Sequence, residues 1–289
     1  MHPLVEIAIE PKRRQDRAAL HAAMQALVSN DLSLAVCVDP ESGQTVLSGA
    51  SEDQLASAVA ALSARCDFNV GAPQVAYRET LSQAATIDHT YKRQLDASGR
   101  VARVVLMFEP CKAGAGFSFE YATDDVPADL ACGVLKGLAA VRLAGLVAGF
   151  PVTDFKASLI GGAWHNLDST EQDFELAART AFRELRTKGA PILLEPIMQV
   201  EVLTPDEHIA DVIGDLNSRR GQIMRAETKS DAQLVTALTP LANLFGYSSQ
   251  LDRITHGAGR FEMRYAHYDQ MPTFEPPDAT FPPAVGMRA

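Results

Sequence analysis

Three residues whose side chains could perform nucleophilic catalysis stand close together in the sequence: His165, Asp168 and Ser169. Serine, histidine and an acidic residue form the catalytic set of many acyl-transfer enzymes. Ser169, however, lies where a helix is expected to begin, and a serine at that position engages its hydroxyl with the backbone. The sequence also has no Gly-x-Ser-x-Gly turn. We therefore do not expect an enzyme that works through these three residues.

A second group of residues could bind the phosphates of a nucleic acid. Its cationic side chains stand on either side of the polar segment Asp96–Gly99: Lys92, Arg93, Arg100 and Arg103. Such side chains favour RNA binding because they release counterions condensed on the phosphate backbone. The sequence leaves an alternative open, namely an ordinary solvated hairpin.

Arg219 and Arg220 end a segment that runs from Ala210 to Gly221. They could contact RNA, or they could stabilise the preceding helix by interacting with its last carbonyl groups. The second interpretation is favoured, and the helix itself is expected to belong to the core.

Length and composition bound the class of protein. A chain of 289 residues with 47% hydrophobic residues indicates a globular protein of two or three domains. It has neither an apolar run of the roughly 20 residues that span a membrane nor a signal peptide, so we expect a cytoplasmic protein without a membrane partner. The four cysteines have no metal-binding spacing and are expected to be buried free thiols.

The net charge of −10 argues at first against nucleic acid as a partner. The charge is unevenly distributed, however. Residues 73–193 carry 13 basic and 14 acidic groups, whereas residues 1–72 carry 5 and 9. Any contact with RNA is therefore expected in the middle of the chain.

The hydrophobic pattern predicts an α+β protein in which the first and last parts share one order of elements, strand–helix–strand–strand–helix–strand. In the first part these are Leu4–Glu10, Asp16–Val28, Leu34–Val38, Thr45–Leu47, a helix capped by Ser51 that buries Leu55, Val59, Ala60 and Leu62, and Phe68–Val70. In the last part they are Ile197–Leu203, a helix from Pro205, Gly221–Thr228, Ala232–Leu238, Leu241–Arg253 and Arg260–Tyr265.

The middle part is predicted to differ. The expected strands are Val75–Thr80, Ala84–Arg93, Arg103–Phe108, Phe117–Ala122 and Pro151–Leu159. Two helices are expected, one over Ala128–Arg142 that packs closely through Gly133 and Gly137, and one over Ser169–Lys188. The second is capped by Ser169, and its apolar stripe comprises Phe174, Ala177, Ala178, Ala181 and Leu185.

Five segments resemble the C-terminal half of elongation factor G, the ribosomal translocase, and they follow one another in the same order. They are Gly71–Thr80, Trp164–Glu171, Leu193–Met198, Ala210–Gly221 and Leu241–Leu251. The resemblance implies two ferredoxin-like βαββαβ domains, residues 1–72 (domain III) and 194–272 (domain V). They would flank a domain like that of ribosomal protein S5, residues 73–193 (domain IV). The proline-rich residues 273–289 are expected to be disordered.

The resemblance also implies a role in moving tRNA and mRNA through the ribosome, with the tip of domain IV in the decoding region. His165 occupies the position of the family's tip-loop histidine, and an imidazole there can hydrogen-bond RNA or stack on a base. Asn166 and the arginines and lysine named above are implied to contact ribosomal RNA, tRNA or mRNA. The alternative for His165 is a loop histidine that caps the next helix.

No cofactor or metal is expected in this chain. GTP and Mg²⁺ are implied only for the N-terminal GTPase domain of such a protein, which would be a partner of these residues. The sequence contains no Gly-x-x-x-x-Gly-Lys-Ser/Thr loop, so we do not expect it to hydrolyse GTP alone.

Two segments depart from the family's pattern, Gly49–Leu55 and Leu95–Arg103. The second has lost glycines that would allow the backbone to approach RNA closely. These departures suggest a divergent paralogue. Two hypotheses stay open: the ribosome-binding half of a translational GTPase, or a ribosome-associated regulatory protein without GTPase activity.

Overall fold

The computed structural model describes residues 4–13, 16–38, 45–95, 98–229 and 232–272, without the side chains of residues 94, 95 and 98. Residues 39–44, between the predicted strands Leu34–Val38 and Thr45–Leu47, and the tail 273–289 lie outside the described residues. The chain divides into two compact units, of which one includes residues 4–76 and 195–269 and the other residues 77–194. The protein is α+β throughout, as the pattern predicted.

The first unit begins with the predicted order of elements. These are β1 (Val5–Pro11), α1 (Arg17–Asn30), β2 (Ala35–Val38), β3 (Thr45–Gly49), α2 (Glu52–Ser63), β4 (Phe68–Val70) and β5 (Gln74–Val75). The strands form an antiparallel sheet in the order β2-β3-β1-β4, and β5 also pairs with β1.

Helix α2 begins as predicted, because the Ser51 hydroxyl accepts a hydrogen bond from the backbone N–H of Gln54 at 3.3 Å. Its buried face differs from the prediction. Leu55, Ala58 and Leu62 are buried, whereas Ala60 is exposed. Positions 55, 58 and 62 follow the helical repeat, and position 60 points away from it.

The second unit comprises most of the middle of the chain. Its elements are β6 (Arg78–Leu81), β7 (Ala85–Leu95), β8 (Ser98–Pro110), β9 (Phe117–Tyr121), α3 (Ala128–Val141), β10 (Phe155–Ala163), α4 (Glu171–Arg183) and α5 (Leu185–Lys188). The sheet has the order β7-β8-β10-β9, in which β10 is antiparallel to β8 and parallel to β9. The single strand predicted over Val75–Thr80 is in fact divided between β5 and β6.

The two long helices of this unit pack closely together, and α4 covers β7 and β8. The helix predicted over Ser169–Lys188 is divided at Glu184 into α4 and α5, but its predicted stripe from Phe174 to Leu185 is fully buried. Gly133 and Gly137 allow the close approach of α3, since a Cβ atom on Gly137 would lie 2.5 Å from the carbonyl oxygen of Glu175. The rings of Phe108, Phe155 and Phe182 meet at the centre of the core.

The strand predicted over Pro151–Leu159 was placed too early, because β10 begins only at Phe155. Asp154 has a φ of 57°, a left-handed conformation that ends any extended segment before it. The Asp154 carboxylate accepts hydrogen bonds from the backbone N–H groups of Gly114 and Gly116, at 3.1 and 2.7 Å. Its conformation therefore fixes the loop between β8 and β9.

The last part of the chain has the elements β11 (Pro191–Thr204), α6 (Ile209–Ser218), β12 (Gln222–Lys229), β13 (Ala232–Pro240), α7 (Tyr247–Thr255) and β14 (Arg260–Gln270). The sheet order is β12-β13-β11-β14. Pro191–Leu194, at the start of β11, pair instead with β6 in the second unit.

Both helices of this part begin later than predicted. Asp206–His208 form a 3₁₀ turn before α6, and Leu241–Asn243 form another before α7. Gly246 has a φ of 68°, which interrupts the predicted helix over Leu241–Arg253.

The prediction of buried cysteines is wrong. Cys37 and Cys132 are exposed, and Cys66 and Cys111 are half-buried. Among the described residues, no helix is both long and apolar enough to cross a membrane.

Candidate functional site

The loop Trp164–Ser169, between β10 and α4, is fastened to the neighbouring strand β8. The Ser169 hydroxyl donates to the carbonyl oxygen of Val101 at 2.6 Å and accepts from the backbone N–H of His165 at 2.9 Å. The Val101 N–H in turn donates to the carbonyl oxygen of Asp168 at 3.0 Å. The β7–β8 hairpin thus holds both ends of the loop in place.

Ser169 does not cap α4, contrary to the prediction, because its hydroxyl is used in fastening the loop. The cap is Thr170, whose N–H and hydroxyl both donate to the Asp173 carboxylate, at 2.9 and 2.6 Å. Asp173 is buried at 7% side-chain exposure. This capping box begins α4 one residue later than a Ser169 cap would.

Arg100 contributes to the same helix start. Its Nη1 donates to the Thr170 hydroxyl at 3.0 Å and to the Asp173 carboxylate at 3.3 Å. The guanidinium is therefore tied to the protein, with a side chain that is 40% exposed. It supplies positive charge at the base of the loop.

Arg103 is engaged in a similar way. Its guanidinium donates twice to the Asp88 carboxylate, at 2.9 and 2.6 Å across the β7–β8 ladder. This hydrogen bonding holds the pKa of Asp88 below its ordinary value and raises the pKa of Arg103. The pair stabilises the hairpin in its extended form.

The segment with these cations has the hairpin pairing that the sequence left open as the alternative, since β7 reaches Leu95 and pairs antiparallel with β8, which begins at Ser98. Lys92 pairs with Val101 and Arg93 with Arg100 in the ladder. The side chains of Lys92 and Arg93 are exposed. Of the four predicted cations, Arg100 and Arg103 are bonded to carboxylates, and all but Arg100 are exposed.

His165 is the exposed titratable group of the loop. Its Nδ1 lies 3.1 Å from the Asp168 carboxylate, and its side chain is 58% exposed. Trp164 and Asn166 are exposed beside it, and Leu167 is 88% exposed. The loop thus offers an imidazole, an amide and an indole to a ligand, a set that can hydrogen-bond RNA and stack on its bases.

The three residues that suggested nucleophilic catalysis do not form a catalytic arrangement. The hydroxyl proton of Ser169 goes to a backbone carbonyl, that of Val101. The ring of His165 bonds to Asp168. A base that accepted the serine proton would be needed for attack on a carbonyl.

Arg219 and Arg220 lie in the other unit and do not cap the carbonyls of their own helix with their side chains. Arg219 donates to Asp215 and to the carbonyl oxygen of Asn243, both at 2.7 Å, and stacks on the Tyr247 ring. Arg220 binds the buried Glu195 carboxylate at 2.5 Å from a left-handed backbone with φ 61°. Backbone groups close the helix instead, through the Gly221 N–H and the Leu216 carbonyl.

One polar residue that organises the second unit was missed by the sequence reasoning. Glu79 is 1% exposed, and its carboxylate accepts four backbone N–H groups of the loop after α3. The donors are Leu146, Val147, Ala148 and Phe150, at 2.6, 3.0, 2.8 and 3.1 Å. The only sequence signal was an acidic residue on the inward side of a strand.

Comparisons with known proteins agree with the resemblance of the sequence. Models of elongation factor G match residues 2–72 (domain III), 73–190 (domain IV) and 192–277 (C-terminus). Curated proteins named elongation factor G are similar over most of the chain. That of Hyphomonas neptunium is 47% identical over 94% of this chain and 39% of its own length. That of Ehrlichia ruminantium is 45% identical over 93% of this chain and 40% of its own length.

A crystal structure of a Thermus thermophilus protein is similar in fold, with a TM-score of 0.73 and 34% identity. The match covers 94% of this chain and 41% of the other. The chain thus spans about two fifths of the length of the relatives it matches, by the 39% and 40% given above.

Proposed function

The chain belongs to the elongation factor G family, and on that premise we propose that residues 73–193 bind RNA within the ribosome during protein synthesis. The contact surface is the loop Trp164–Ser169 together with the adjacent arms of the β7–β8 hairpin. The RNA would be tRNA or mRNA in the decoding region, moved during translocation.

The observation that carries this proposal is the fastening of the loop to β8 through Ser169, Val101 and Asp168. A loop held by its backbone keeps its exposed side chains in place before a ligand arrives, which lowers the entropic cost of binding. Lys92 and Arg93 lie on β7, the strand that pairs with β8 in this hairpin. Cations near an imidazole and an indole suit a single-stranded or looped RNA.

The predicted site residues then take different roles. His165, Asn166, Lys92 and Arg93 contact RNA directly, because their side chains are exposed. Arg100 and Arg103 hold the loop and hairpin through their ion pairs with Asp173 and Asp88. Arg219 and Arg220 stabilise the first unit through Asp215 and Glu195.

We also propose a family for each domain of the fold. The sheet orders β2-β3-β1-β4 and β12-β13-β11-β14, each with two helices, support ferredoxin-like domains over residues 1–72 and 194–272. Residues 73–193 would be the domain that resembles ribosomal protein S5. GTP and Mg²⁺ would be handled by a GTPase domain that works with these residues in a cytoplasmic protein.

Ribosome co-sedimentation of the full chain tests the function. We expect His165→Ala combined with Lys92→Ala to weaken pelleting and to flatten its dependence on salt, because one phosphate contact fewer releases fewer counterions. Lys112→Ala is the matched control, since it removes an exposed lysine from another loop of the same unit. Pelleting that stays the same for all three proteins at every salt concentration would exclude this surface as the RNA contact.

A further inference from the structure

We propose that Asp168 is a positioning residue for His165. Its carboxylate holds the imidazole in the tautomer with the proton on Nδ1, and Nε2 is left as a hydrogen-bond acceptor for the ligand. This inference rests on the proposed function of the loop and adds a chemical class of ligand group: a neutral hydrogen-bond donor on RNA.

The tautomer follows from the contact between the two side chains. The His165 Nδ1 and an Asp168 carboxylate oxygen are 3.1 Å apart. An ionised carboxylate presents only lone pairs, so the ring nitrogen that lies against it is favoured to carry the proton and not a lone pair. When the imidazole is neutral, Nε2 then carries a lone pair and no proton.

The backbone fixes both partners of this contact. The His165 N–H donates to the Ser169 hydroxyl at 2.9 Å, and the His165 carbonyl accepts from Asp168 at 3.2 Å and Ser169 at 3.0 Å. The Asp168 carbonyl accepts from Val101 of β8 at 3.0 Å. The two side chains therefore extend from backbone positions that are already held at the distance their pairing requires.

The fixed tautomer selects the ligand group. A neutral imidazole that offers Nε2 accepts a hydrogen bond from a ribose 2′-hydroxyl or from an exocyclic amino group of a base, both of which RNA presents. A phosphate oxygen accepts only, so it is not complementary to this form. Lys92 and Arg93 are better suited to the phosphates.

Nitrogen-15 NMR of the full chain, recorded at about pH 8.5 where an ordinary imidazole is neutral, measures the tautomer directly. We expect the Nδ1–H form for His165, and the Nε2–H form, which a free imidazole prefers, after Asp168→Ala. Asp124→Ala removes an exposed carboxylate from another loop of the same unit, and it should leave the Nδ1–H form unchanged. The inference is overturned if His165 already has the Nε2–H form in the unaltered protein.

A double-mutant cycle in ribosome co-sedimentation then tests whether Asp168 acts through His165. We expect Asp168→Ala to weaken binding several-fold in the parent chain and to have no further effect beside His165→Ala. Equal effects in both backgrounds would overturn the positioning role. If the tautomer changes as expected and neither variant alters pelleting, the proposed function fails while the tautomer assignment stands.

Ribosomes programmed with a message that carries 2′-deoxyribose at the codon distinguish the two sources of the donor. Weaker binding of the unaltered chain, together with unchanged binding of His165→Ala, identifies the ribose hydroxyl. If deoxyribose has no effect while the cycle shows coupling, the donor is not a ribose hydroxyl of the codon, and the same substitution in the tRNA anticodon separates a tRNA ribose from a base amino group. The Asp168→Asn variant keeps the shape of the side chain and is the control for a loss of folding in Asp168→Ala. Thermal unfolding of both variants measures whether they are folded.

Discussion

The carboxylate of Glu79 replaces, for one loop, the hydrogen bonds that a helix or sheet would give. Four N–H groups of residues 146–150 converge on its two oxygens at 2.6 to 3.1 Å. Groups buried in this way lose their hydrogen bonds to water on folding, so each needs a partner in the protein. The side chain of Glu79 is thus the structural centre of that loop.

We predict that Glu79→Ala lowers the free energy of unfolding by about 3 kcal/mol or more, because buried N–H donors left without acceptors each cost about 1–3 kcal/mol. Urea denaturation measures the loss. The free energy of unfolding of Glu79→Gln should lie between those of the parent and of Glu79→Ala, since an amide offers one acceptor oxygen in place of two. Asp124→Ala, at an exposed position, is the control. A loss below about 1 kcal/mol, as for an average substitution, would contradict the role given to Glu79.

Glu184 gives a prediction about pH. Hydrogen bonds from Lys188 and then from His89 hold the pKa of Glu184 below its ordinary value of 4.5. A carboxyl whose pKa is lowered by folding stabilises the protein fully above its unfolded pKa, and this contribution disappears as the pH falls through the folded pKa.

We therefore expect Glu184→Gln to be less stable than the parent at pH about 7, by no more than about 1 kcal/mol because the pair is partly exposed. The difference should shrink as the pH falls below 4.5 and vanish below the lowered folded pKa of Glu184, where both proteins carry a neutral group. Urea midpoints across this range provide the measurement. Glu262→Gln, at an exposed position on β14, should show no such trend. A difference for Glu184→Gln that grows towards acid would contradict the assignment.

At the residue scale, sequence reasoning found the exposed groups and missed the partners of the buried ones. His165 could be recognised because it stands in a distinctive local segment. The four donors to Glu79 lie 67 to 71 positions further along the chain. Nothing within a few residues of Glu79 indicates such partners, since the contact exists only after β6 and the loop after α3 have been brought together.

The contact between α3 and α4 shows how an element can depend on the absence of a side chain. A Cβ atom on Gly137 would lie 2.5 Å from the Glu175 carbonyl, and Gly133 is as tightly placed against Glu171. Alanine is the better helix former by about 1 kcal/mol. The clash should outweigh this gain, because overfilled contacts cost about 1–3 kcal/mol and here the obstacle is backbone.

We predict that Gly137→Ala destabilises the protein by about 2 kcal/mol, as the helices must separate to admit the methyl group. Gly214→Ala is the matched control in α6, where a Cβ would meet nothing within 4 Å. It should stabilise by up to about 1 kcal/mol. Thermal or urea unfolding of both variants gives the sign of each change in stability. A change in the same direction for both variants would contradict the packing argument.

The elements themselves were largely predictable from hydrophobic periodicity. Helix α4 was recognised because its apolar stripe repeats at helical spacing and is fully buried. The errors arose where one residue overrides the pattern. Asp154 takes a left-handed conformation that delays β10, and Gly246 does the same before α7. Periodicity carries no information about such single backbone conformations.

At the scale of the whole molecule, residues 4–76 and 195–269 fall in one compact unit and residues 77–194 in the other. The resemblance predicted three domains, and the sharing of one unit by the first and last parts could not be read from periodicity. The contacts that join them depend on surfaces far apart in the chain, such as Glu52, whose carboxylate accepts from the Gly246 N–H at 3.4 Å.

Because residues 77–194 contain their own hydrophobic core, we expect a destabilising change there to act locally. Hydrogen exchange of Glu79→Ala, followed by mass spectrometry, should show faster exchange in α3, α4 and β8. Peptides from α6 and β13 should keep the rates of the parent protein. Uniformly faster exchange across both groups of peptides would mean that the units unfold together.

The four backbone amides that bind Glu79 also determine which positions of this region can change in evolution. Every amino acid except proline carries a backbone N–H, so the exposed Val147 and the half-buried Ala148 can be exchanged without loss of the donors. Only the acceptor depends on the identity of a side chain, that of position 79. A mutational scan should therefore find positions 147 and 148 permissive, closed mainly to proline, and position 79 of the facing strand intolerant of nearly every change.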